Sequence, residues 1–380
     1  MELKVNASYA MQRHAMQRLS KVALSTVMLT VCLLFLAVLQ VRRPSESFQP
    51  SQHISVWGSA LQNAGTGHRY EHPHGRPKTS SGGLSSTSPS PKKYAYATFF
   101  SAPVNDTGKD DKYFTAARVL TYQLLHHPDT RTTNNYPLLV LTPHHVDTDK
   151  TDVLEREGAT VIRTDVLNAD SDWVNPAQES WSEQFTKLRL FTMTEYERIL
   201  FIDLDMLLTR SMDPIFDEDV VRNIAHTRSR DTKDDEAPLP EDYVFVGVPD
   251  AGGPHDGKPD AGDYVNGGFW LMRPDQVLYD HYLSVLNKEG RFDDSVMEQG
   301  LLNYAHRSNG PMPYKRFQIG KWNINWPSYG DVERGAASVH DKFWDPDNAD
   351  WIDRKLVEMW WRMQGQMEGF WLKAQQDGTY

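Results

Sequence analysis

The hydrophobic positions of the chain form one long block near the N-terminus and many short blocks after residue 93. The long block, residues 22–41, contains no charged side chain and only four polar ones. At a rise of 1.5 Å per residue, a helix of this length spans the roughly 30 Å hydrocarbon core of a bilayer. Basic residues precede it, which favours a cytosolic N-terminus. The pattern predicts a cytosolic tail over 1–21 and a transmembrane signal anchor over 22–41.

A cleaved signal peptide is the main alternative for this block. The apolar run is longer than a signal peptide needs, and no small-x-small cleavage site follows it. A buried helix of a globular domain fits less well still, because the run is apolar on every face. We therefore expect a single-pass protein whose C-terminal bulk lies in the lumen or outside the cell.

The short apolar blocks alternate with segments of helical spacing. Strands are predicted over residues 94–100, 137–141, 160–164 and 199–202, and helices over 113–125 and 150–157. Ser180 and Glu183 have the spacing of a capping box, which predicts a helix that ends near Tyr196. Apolar residues from Leu356 to Met363 predict an amphipathic helix that docks on the domain. Such alternation is typical of an α/β fold with a mostly parallel central sheet, whose ligands bind at the carboxyl ends of the strands.

Composition separates the long block from the short ones. Residues 42–93 are rich in Ser, Pro, Gly, His and Thr, which predicts a disordered stem with too little apolar surface to fold. The net charge of −11 argues against a general nucleic-acid binder, and the single cysteine, Cys32, excludes a disulfide scaffold. We therefore expect one lumenal domain over 94–380 that is stabilised by its hydrophobic core.

The first chemical signal lies at the end of the fourth predicted strand, in RILFIDLDMLL. In extended chain Asp203 and Asp205 point to the same side, while Leu204 faces the core. Two carboxylates at this edge of a sheet suit Mg²⁺ or Mn²⁺ bound together with phosphates. A D-x-D pair is common by chance, but the apolar strand that leads into it favours a metal site. Asp213 and Asp217, just beyond, are expected to be ordinary turn acids.

Several motifs, in order, carry a resemblance to a known family. They are FTKLRLFTMTEYERILFIDLDMLLTRSMDPIFD, YVNGGFWLMRPD, DDSVMEQGLLNYAH and SVHDKFW. The chain resembles the glycogenin-like, family 8 glycosyltransferases, which implies a GT-A fold with a Rossmann-like nucleotide-sugar-binding domain. The anchor and stem resemble those of fungal Golgi members of the family, including members proposed to transfer N-acetylglucosamine. Glycogenin itself has neither segment.

The resemblance implies a metal site beside a diphosphate site. Asp203 and Asp205 would bind Mn²⁺ with His340 as the third protein ligand, a donor set that is consistent with manganese. Lys342 would contact the diphosphate, although the family spacing H-x-x-G-x-x-K is compressed here to H-x-K. Lys187 would reach the nucleotide-sugar from the predicted capped helix.

The resemblance also places the nucleotide of the donor near the end of the first strand. The residues assigned to it are Thr98, Phe99, Ser101, Tyr113 and Leu204. Tyr113 would stack on uracil, an interaction worth roughly 1–3 kcal/mol per base. A half-buried packing tyrosine is the alternative for that position.

The donor sugar would lie between two further segments, Asn266-Gly267-Gly268 and Glu298-Gln299. The glycines would allow close approach of the backbone, and Asn266 would hydrogen-bond sugar hydroxyls. The family pattern has Asp-Gln where this chain has Glu298 and Gln299, and Glu298 is expected to orient the sugar. With Lys187, these polar residues are the expected catalytic group.

These features predict a Mn²⁺-dependent retaining glycosyltransferase in the secretory pathway. It would move a hexose or N-acetylhexosamine from a UDP-sugar to a glycan or glycoprotein, as a single-pass type II protein of the Golgi membrane. The alternative is a catalytically inactive Golgi protein of the same fold that binds nucleotide-sugar or glycan. The complete metal set favours the enzyme. Asn105 begins an N-glycosylation sequon in the lumenal part.

Overall fold

The computed structural model describes residues 93–101, 111–250, 262–345 and 352–380. The predicted tail, the anchor, the stem up to residue 92 and the Asn105 sequon lie outside these residues. Within the described ranges, no helix is both long and apolar enough to cross a membrane.

A seven-stranded sheet forms the centre of the domain. Its strands, in spatial order, are β10 (Lys315–Arg316), β8 (Phe245–Pro249), β9 (Val265–Met272), β4 (Arg198–Ile202), β1 (Tyr94–Phe99), β2 (Leu138–Pro143) and β3 (Thr160–Thr164). β3, β2, β1 and β4 run parallel, β9 is antiparallel to both β4 and β8, and β10 is parallel to β8. The expected mostly parallel α/β sheet is confirmed.

Helices cover both faces of this sheet. They are α1 (Lys112–Leu125), α2 (Thr148–Arg156), α3 (Asp219–Arg222), α4 (Gln276–Leu286), α5 (Met297–Ala305), α6 (Tyr329–Glu333) and α7 (Arg354–Gln376), with 3₁₀ helices at Glu179–Trp181, Gln184–Thr192, Asp213–Asp217 and Asp294–Val296. Aspartates begin the longer helices, since the side chains of Asp111, Asp275 and Asp353 accept hydrogen bonds from first-turn amides of α1, α4 and α7.

The alternation of side chains along β1 explains the layered core. Tyr94 and Tyr96 point into one hydrophobic cluster, which α1 and α7 cover. Ala95 and Ala97 point into a second cluster on the opposite face, which α4, α5 and the 3₁₀ helix Gln184–Thr192 cover. Because both faces are buried, β1, β2 and β4 appear in the sequence as nearly continuous apolar runs.

Two smaller sheets complete the fold. β5 (Met206–Leu208), β12 (Ser338–His340) and β11 (Ile324–Asn325) form one, in which β5 is antiparallel to β12 and β12 is parallel to β11. β6 (Ala225–His226) and β7 (Asp242–Tyr243) form the other. The first matters for function, because β5 follows β4 after only three residues and brings the far end of the chain to the same edge.

The predicted C-terminal helix is confirmed as α7. Its buried side chains, among them Leu356, Trp360 and Met363, face the cluster on the α1 side of the sheet. Trp361 and Leu372 on its other face are exposed.

The predicted capping box at Ser180 and Glu183 is wrong. The chain forms two 3₁₀ helices there, and neither begins with a side-chain cap. The carboxylate of Glu183 instead accepts a hydrogen bond from Ser101 Oγ and lies 3.5 Å from His145 Nε2. Long-range partners therefore use the group that a capping box needs for its local contact.

The expectation that Asp213 is an ordinary turn acid is also wrong. Asp213 is buried, and Tyr96 Oη donates a hydrogen bond of 2.5 Å to its Oδ1. Its Oδ2 accepts from Thr133 N at 2.8 Å and from Asn134 Nδ2 at 2.9 Å. Burial, together with the nearby Asp213 charge, raises the pKa of Tyr96 well above its usual value. Asp217, by contrast, is an exposed acid as expected.

Candidate functional site

The candidate site lies at the carboxyl ends of β1 and β4, where an α/β sheet binds ligands. Asp203 follows β4 directly, and its N–H donates to Gly268 O at 2.9 Å, which extends the pairing of β4 with β9. Leu204 and Asp205 then form a turn into β5 rather than continuing an extended strand. Leu204 is buried as predicted, and its side chain belongs to the core.

The turn brings three candidate metal ligands together. One atom each of Asp203, Asp205 and His340 can be chosen so that all lie within 4.8 Å of one another. Asp205 Oδ1 is 2.9 Å from His340 Nε2. The antiparallel pairing of Met206 with His340 explains this proximity, because it fixes the end of β12 beside the turn. The sequence motifs thus meet in space as the resemblance implied.

The protonation of this group depends on its mutual charges. Burial opposes ionisation of Asp205, but His340 and Lys342 outweigh that effect and hold its pKa well below the usual range. Burial likewise disfavours the His340 imidazolium, but the Asp205 carboxylate outweighs it and raises the pKa of His340. The imidazole and the ammonium group of Lys342 thus stabilise the Asp205 carboxylate.

A divalent cation fits these residues. Two carboxylates and an imidazole are a donor set for a hard or borderline ion, and the imidazole suits Mn²⁺ better than Mg²⁺. Asp205 Oδ2 is 3.2 Å from Lys342 Nζ, whose side chain is 46% exposed. Lys342 can therefore move to another anion when a cation takes its place at Asp205.

Lys187 holds the other side of the group. Its Nζ lies 2.9 Å from Asp203 Oδ1 and 2.8 Å from Glu298 Oε1, and its side chain is buried. Burial disfavours the ammonium, but the two carboxylates outweigh it and raise the pKa of Lys187. Burial, only partly offset by Lys187, raises the pKa of Glu298 from 4.5 to about 7. Glu298 is therefore a carboxyl group that can hold or lose a proton near neutral pH.

The expected sugar segments also meet at this edge. Gly267 N donates to Gln299 Oε1 at 2.6 Å, and Gly268 N donates to Asn266 Oδ1 at 2.9 Å. The glycines lie within strand β9. A Cβ at Gly268 would lie 2.5 Å from Asp203 Oδ2, so the glycine there makes room for the candidate metal ligands.

Asp250 is a site residue that the sequence interpretation missed. Its two carboxylate oxygens accept from Asn266 Nδ2 at 3.3 Å and from Gln299 Nε2 at 3.1 Å. Asp250 thereby fixes the orientation of both side-chain amides. The cue was available, because Asp250 follows the apolar strand β8 just as Asp203 follows β4.

The residues assigned to the nucleotide are only partly available. Thr98 and Phe99 are buried, Phe99 in the hydrophobic core, so neither side chain is accessible to a ligand. Thr98 Oγ1 has no hydrogen-bond partner among the described residues. Ser101 is engaged with Glu183. Tyr113 fits the expectation better, because its side chain is 37% exposed and packs edge-on against Trp344 with ring centroids 5.5 Å apart.

Comparisons with known sequences identify several similar proteins. Two uncharacterised proteins of Schizosaccharomyces pombe are 28% identical to the chain over 312 and 306 residues, which cover 74% and 73% of this chain and 81% and 79% of theirs. Human glycogenin-1 is 26% identical over 196 residues, or 51% of this chain and 45% of glycogenin-1. No family model matches the chain.

Solved structures with similar folds include two sugar transferases. Mouse xyloside xylosyltransferase 1 overlaps 65% of this chain and 97% of its own, with 15% identity and a TM-score of 0.41. The galactosyltransferase LgtC overlaps 65% and 86%, with 15% identity and a TM-score of 0.40. Since both TM-scores are below 0.5, the assignment depends on the sequence relatives.

The sequence relatives and the candidate metal group together indicate the class of the protein, which is a glycosyltransferase. The chain is similar to the glycogenins of Homo sapiens and Komagataella phaffii, over 51% and 32% of its length.

Proposed function

We propose that this protein transfers a hexose or N-acetylhexosamine from a UDP-sugar to a glycan or glycoprotein, with Mn²⁺ as cofactor and with retention of anomeric configuration. The observation that carries the proposal is the convergence of Asp203, Asp205 and His340 at the carboxyl edge of the sheet. N-acetylglucosamine is the donor sugar to test first, because the anchor and stem resemble those of fungal Golgi members proposed to transfer it.

The metal group would act on the leaving diphosphate. Bound Mn²⁺ would neutralise negative charge that develops as UDP departs. Asp203, Asp205 and His340 would hold the ion, and Lys342 would turn from Asp205 to a phosphate oxygen. Its half-exposed side chain permits that movement. Tyr113, which is partly exposed, would stack on the uracil base.

The sugar would lie over the Gly267–Gly268 segment of β9. Asp250 orients the amides of Asn266 and Gln299, and sugar hydroxyls would bond to the remaining polar atoms of these side chains. Lys187 donates a hydrogen bond to the Glu298 carboxylate and thereby fixes its position. In this arrangement Glu298 orients the sugar rather than attacking it.

We further propose that the enzyme is a single-pass type II protein of the Golgi membrane with a lumenal catalytic domain. The support is the uncharged apolar block of residues 22–41 and its basic N-terminal flank. Protease treatment of sealed vesicles should leave the domain intact and remove only an epitope placed at the N-terminus. Digestion of the domain in sealed vesicles would contradict this orientation.

A donor panel tests the activity directly. The purified protein is mixed with UDP-glucose, UDP-galactose or UDP-N-acetylglucosamine, and UDP release is measured with Mn²⁺ and with a chelator. We expect release with one donor in Mn²⁺ and none in chelator. UDP binding without release from any donor or transfer to any glycan acceptor would favour the inactive binding protein instead.

A further inference from the structure

Asn325 is a buried residue at the end of β11 that the proposed mechanism has not used. β11 runs parallel to β12, and Asn325 is paired in register with His340. The side chain of Asn325 is oriented toward the imidazole, with Oδ1 3.0 Å from His340 Nδ1. Only 5% of Asn325 is exposed, so water does not substitute freely for this contact.

The orientation of the Asn325 amide follows from its other partners. Asn325 Nδ2 lies 3.2 Å from Pro249 O, a carbonyl that can only accept a hydrogen bond. The NH₂ group must therefore face Pro249, and Oδ1 must face His340. Asn323 Nδ2, 3.0 Å away, donates to the same Oδ1.

This amide orientation fixes the hydrogen on the His340 ring. Because Asn325 Oδ1 is an acceptor, His340 Nδ1 carries a hydrogen and donates it. His340 Nε2 then faces Asp205 Oδ1 at 2.9 Å, inside the candidate metal group. A histidine that donates its other N–H to a fixed acceptor is held in one orientation and is a more basic ligand.

We propose that Asn325 is a positioning residue for the metal group, and that it fixes the tautomer and ring plane in which His340 presents Nε2 to a divalent cation. The inference rests on the proposed function, since it concerns the same cation. Pro249, which accepts from Asn325, precedes Asp250 at the end of β8. The Asn325 side chain therefore also connects His340 to the segment in which Asp250 orients Asn266 and Gln299.

The experiment measures Mn²⁺ binding to the purified full-length chain by electron paramagnetic resonance titration, without substrate. Asn325→Ala should weaken Mn²⁺ affinity about 10- to 100-fold, the usual effect of removing such a partner. Asn325→Asp keeps an acceptor oxygen for His340 Nδ1 but loses the donor to Pro249 O, so it should bind Mn²⁺ more tightly than Asn325→Ala does. The control Asn287→Ala, which removes an amide oxygen that accepts from Asp170 N at 2.8 Å, should bind Mn²⁺ like the natural protein.

A double-mutant cycle separates positioning from general damage to the fold. In the His340→Ala background, Asn325→Ala should cause no further loss of affinity, because Asn325 acts through the imidazole. An equal loss in both backgrounds would overturn the proposal, and so would undiminished Mn²⁺ affinity in Asn325→Ala. If His340→Ala itself binds Mn²⁺ normally, the proposed metal site fails and the role of Asn325 fails with it. Loss in His340→Ala but not in Asn325→Ala overturns the inference alone.

Discussion

Asp205, between β4 and β5, and Asp213, after β5, are both buried carboxylates, yet their surroundings differ in kind. The partners of Asp205 are Lys342, an ammonium group at 3.2 Å, and His340, an imidazole at 2.9 Å that becomes cationic when it is protonated. The partners of Asp213 are neutral donors that belong to the fold, such as Tyr96 Oη and the main-chain N–H of Thr133.

The difference separates a functional acid from a structural one. A metal ion can replace the charges around Asp205, because an imidazolium can lose a proton and an exposed ammonium can move away. A metal at Asp213 would leave the buried Tyr96 hydroxyl without an acceptor, which costs about 1–3 kcal/mol. Exchangeable cationic partners therefore mark the carboxylate that is available to a ligand.

The largest expected effect comes from neutralising the acids of the metal group. Asp203→Asn and Asp205→Asn keep side-chain size but remove the anionic oxygen that holds the cation. The loss of several kcal/mol of leaving-group stabilisation should slow turnover roughly 10³-fold or more, at about 1.36 kcal/mol per tenfold. The rate of UDP release against Mn²⁺ concentration measures this effect.

Two controls accompany Asp203→Asn and Asp205→Asn: a test that both variants are folded, and a matched change at an exposed acid. Both proteins should stay folded, because in Asp205→Asn His340 can become neutral and Lys342 can turn to water, and in Asp203→Asn Lys187 keeps Glu298 as its partner. Asp217→Asn changes an exposed acid and should keep the natural rate. Near-natural turnover in either acid variant, or full activity in chelator, would contradict a role in metal binding that distinguishes Asp205 from Asp213.

The next effect concerns stability rather than turnover. Asp213→Ala leaves the buried Tyr96 Oη without its acceptor and removes the acceptor of Thr133 N, so the free energy of unfolding should fall by about 1–3 kcal/mol. Denaturant unfolding measures this loss. At a temperature where the variant is folded, its Mn²⁺ affinity should equal that of the natural protein. Unchanged stability with weakened Mn²⁺ binding would reverse the roles assigned to the two acids.

Glu298 offers a third buried carboxylate and a smaller, pH-dependent effect. Its pKa is raised from 4.5 to about 7 in the folded chain, so the folded state binds the proton more tightly than the unfolded state. The contribution of Glu298 to the free energy of unfolding should therefore fall as the pH rises through this interval, by about 3 kcal/mol. Glu298→Gln should remove that slope.

Denaturant unfolding at about pH 5 and about pH 8 measures the difference between the two proteins. The comparison uses the change with pH, because Glu298→Gln also removes an ion-pair partner of Lys187 at every pH. If the free energy of unfolding changes with pH in the same way in both proteins, the pKa of Glu298 is not raised by folding. Glu298 would then resemble the exposed Asp217 rather than a buried acid.

The sequence predicted the parts of the site that local patterns encode. An apolar strand followed by Asp203 was sufficient to locate the metal edge, and family motifs supplied His340. Asp213 was misjudged because its donors Tyr96 and Thr133 lie 117 and 80 residues away along the chain. Glu183 was assigned to a local cap for the same reason. Local spacing identifies a candidate group but does not show which distant side chain will contact it.

The pairing of β5 with β12 has a consequence for how the protein folds. It joins segments far apart in the chain, since Asp205 and Lys342 are separated by 137 residues. Contacts with such separation carry a large loop-closure entropy and tend to form late. The central strands can pair before β12 arrives, whereas the three metal ligands cannot meet until it does. Acquisition of Mn²⁺ during refolding should therefore lag behind recovery of secondary structure and report the completion of the native topology.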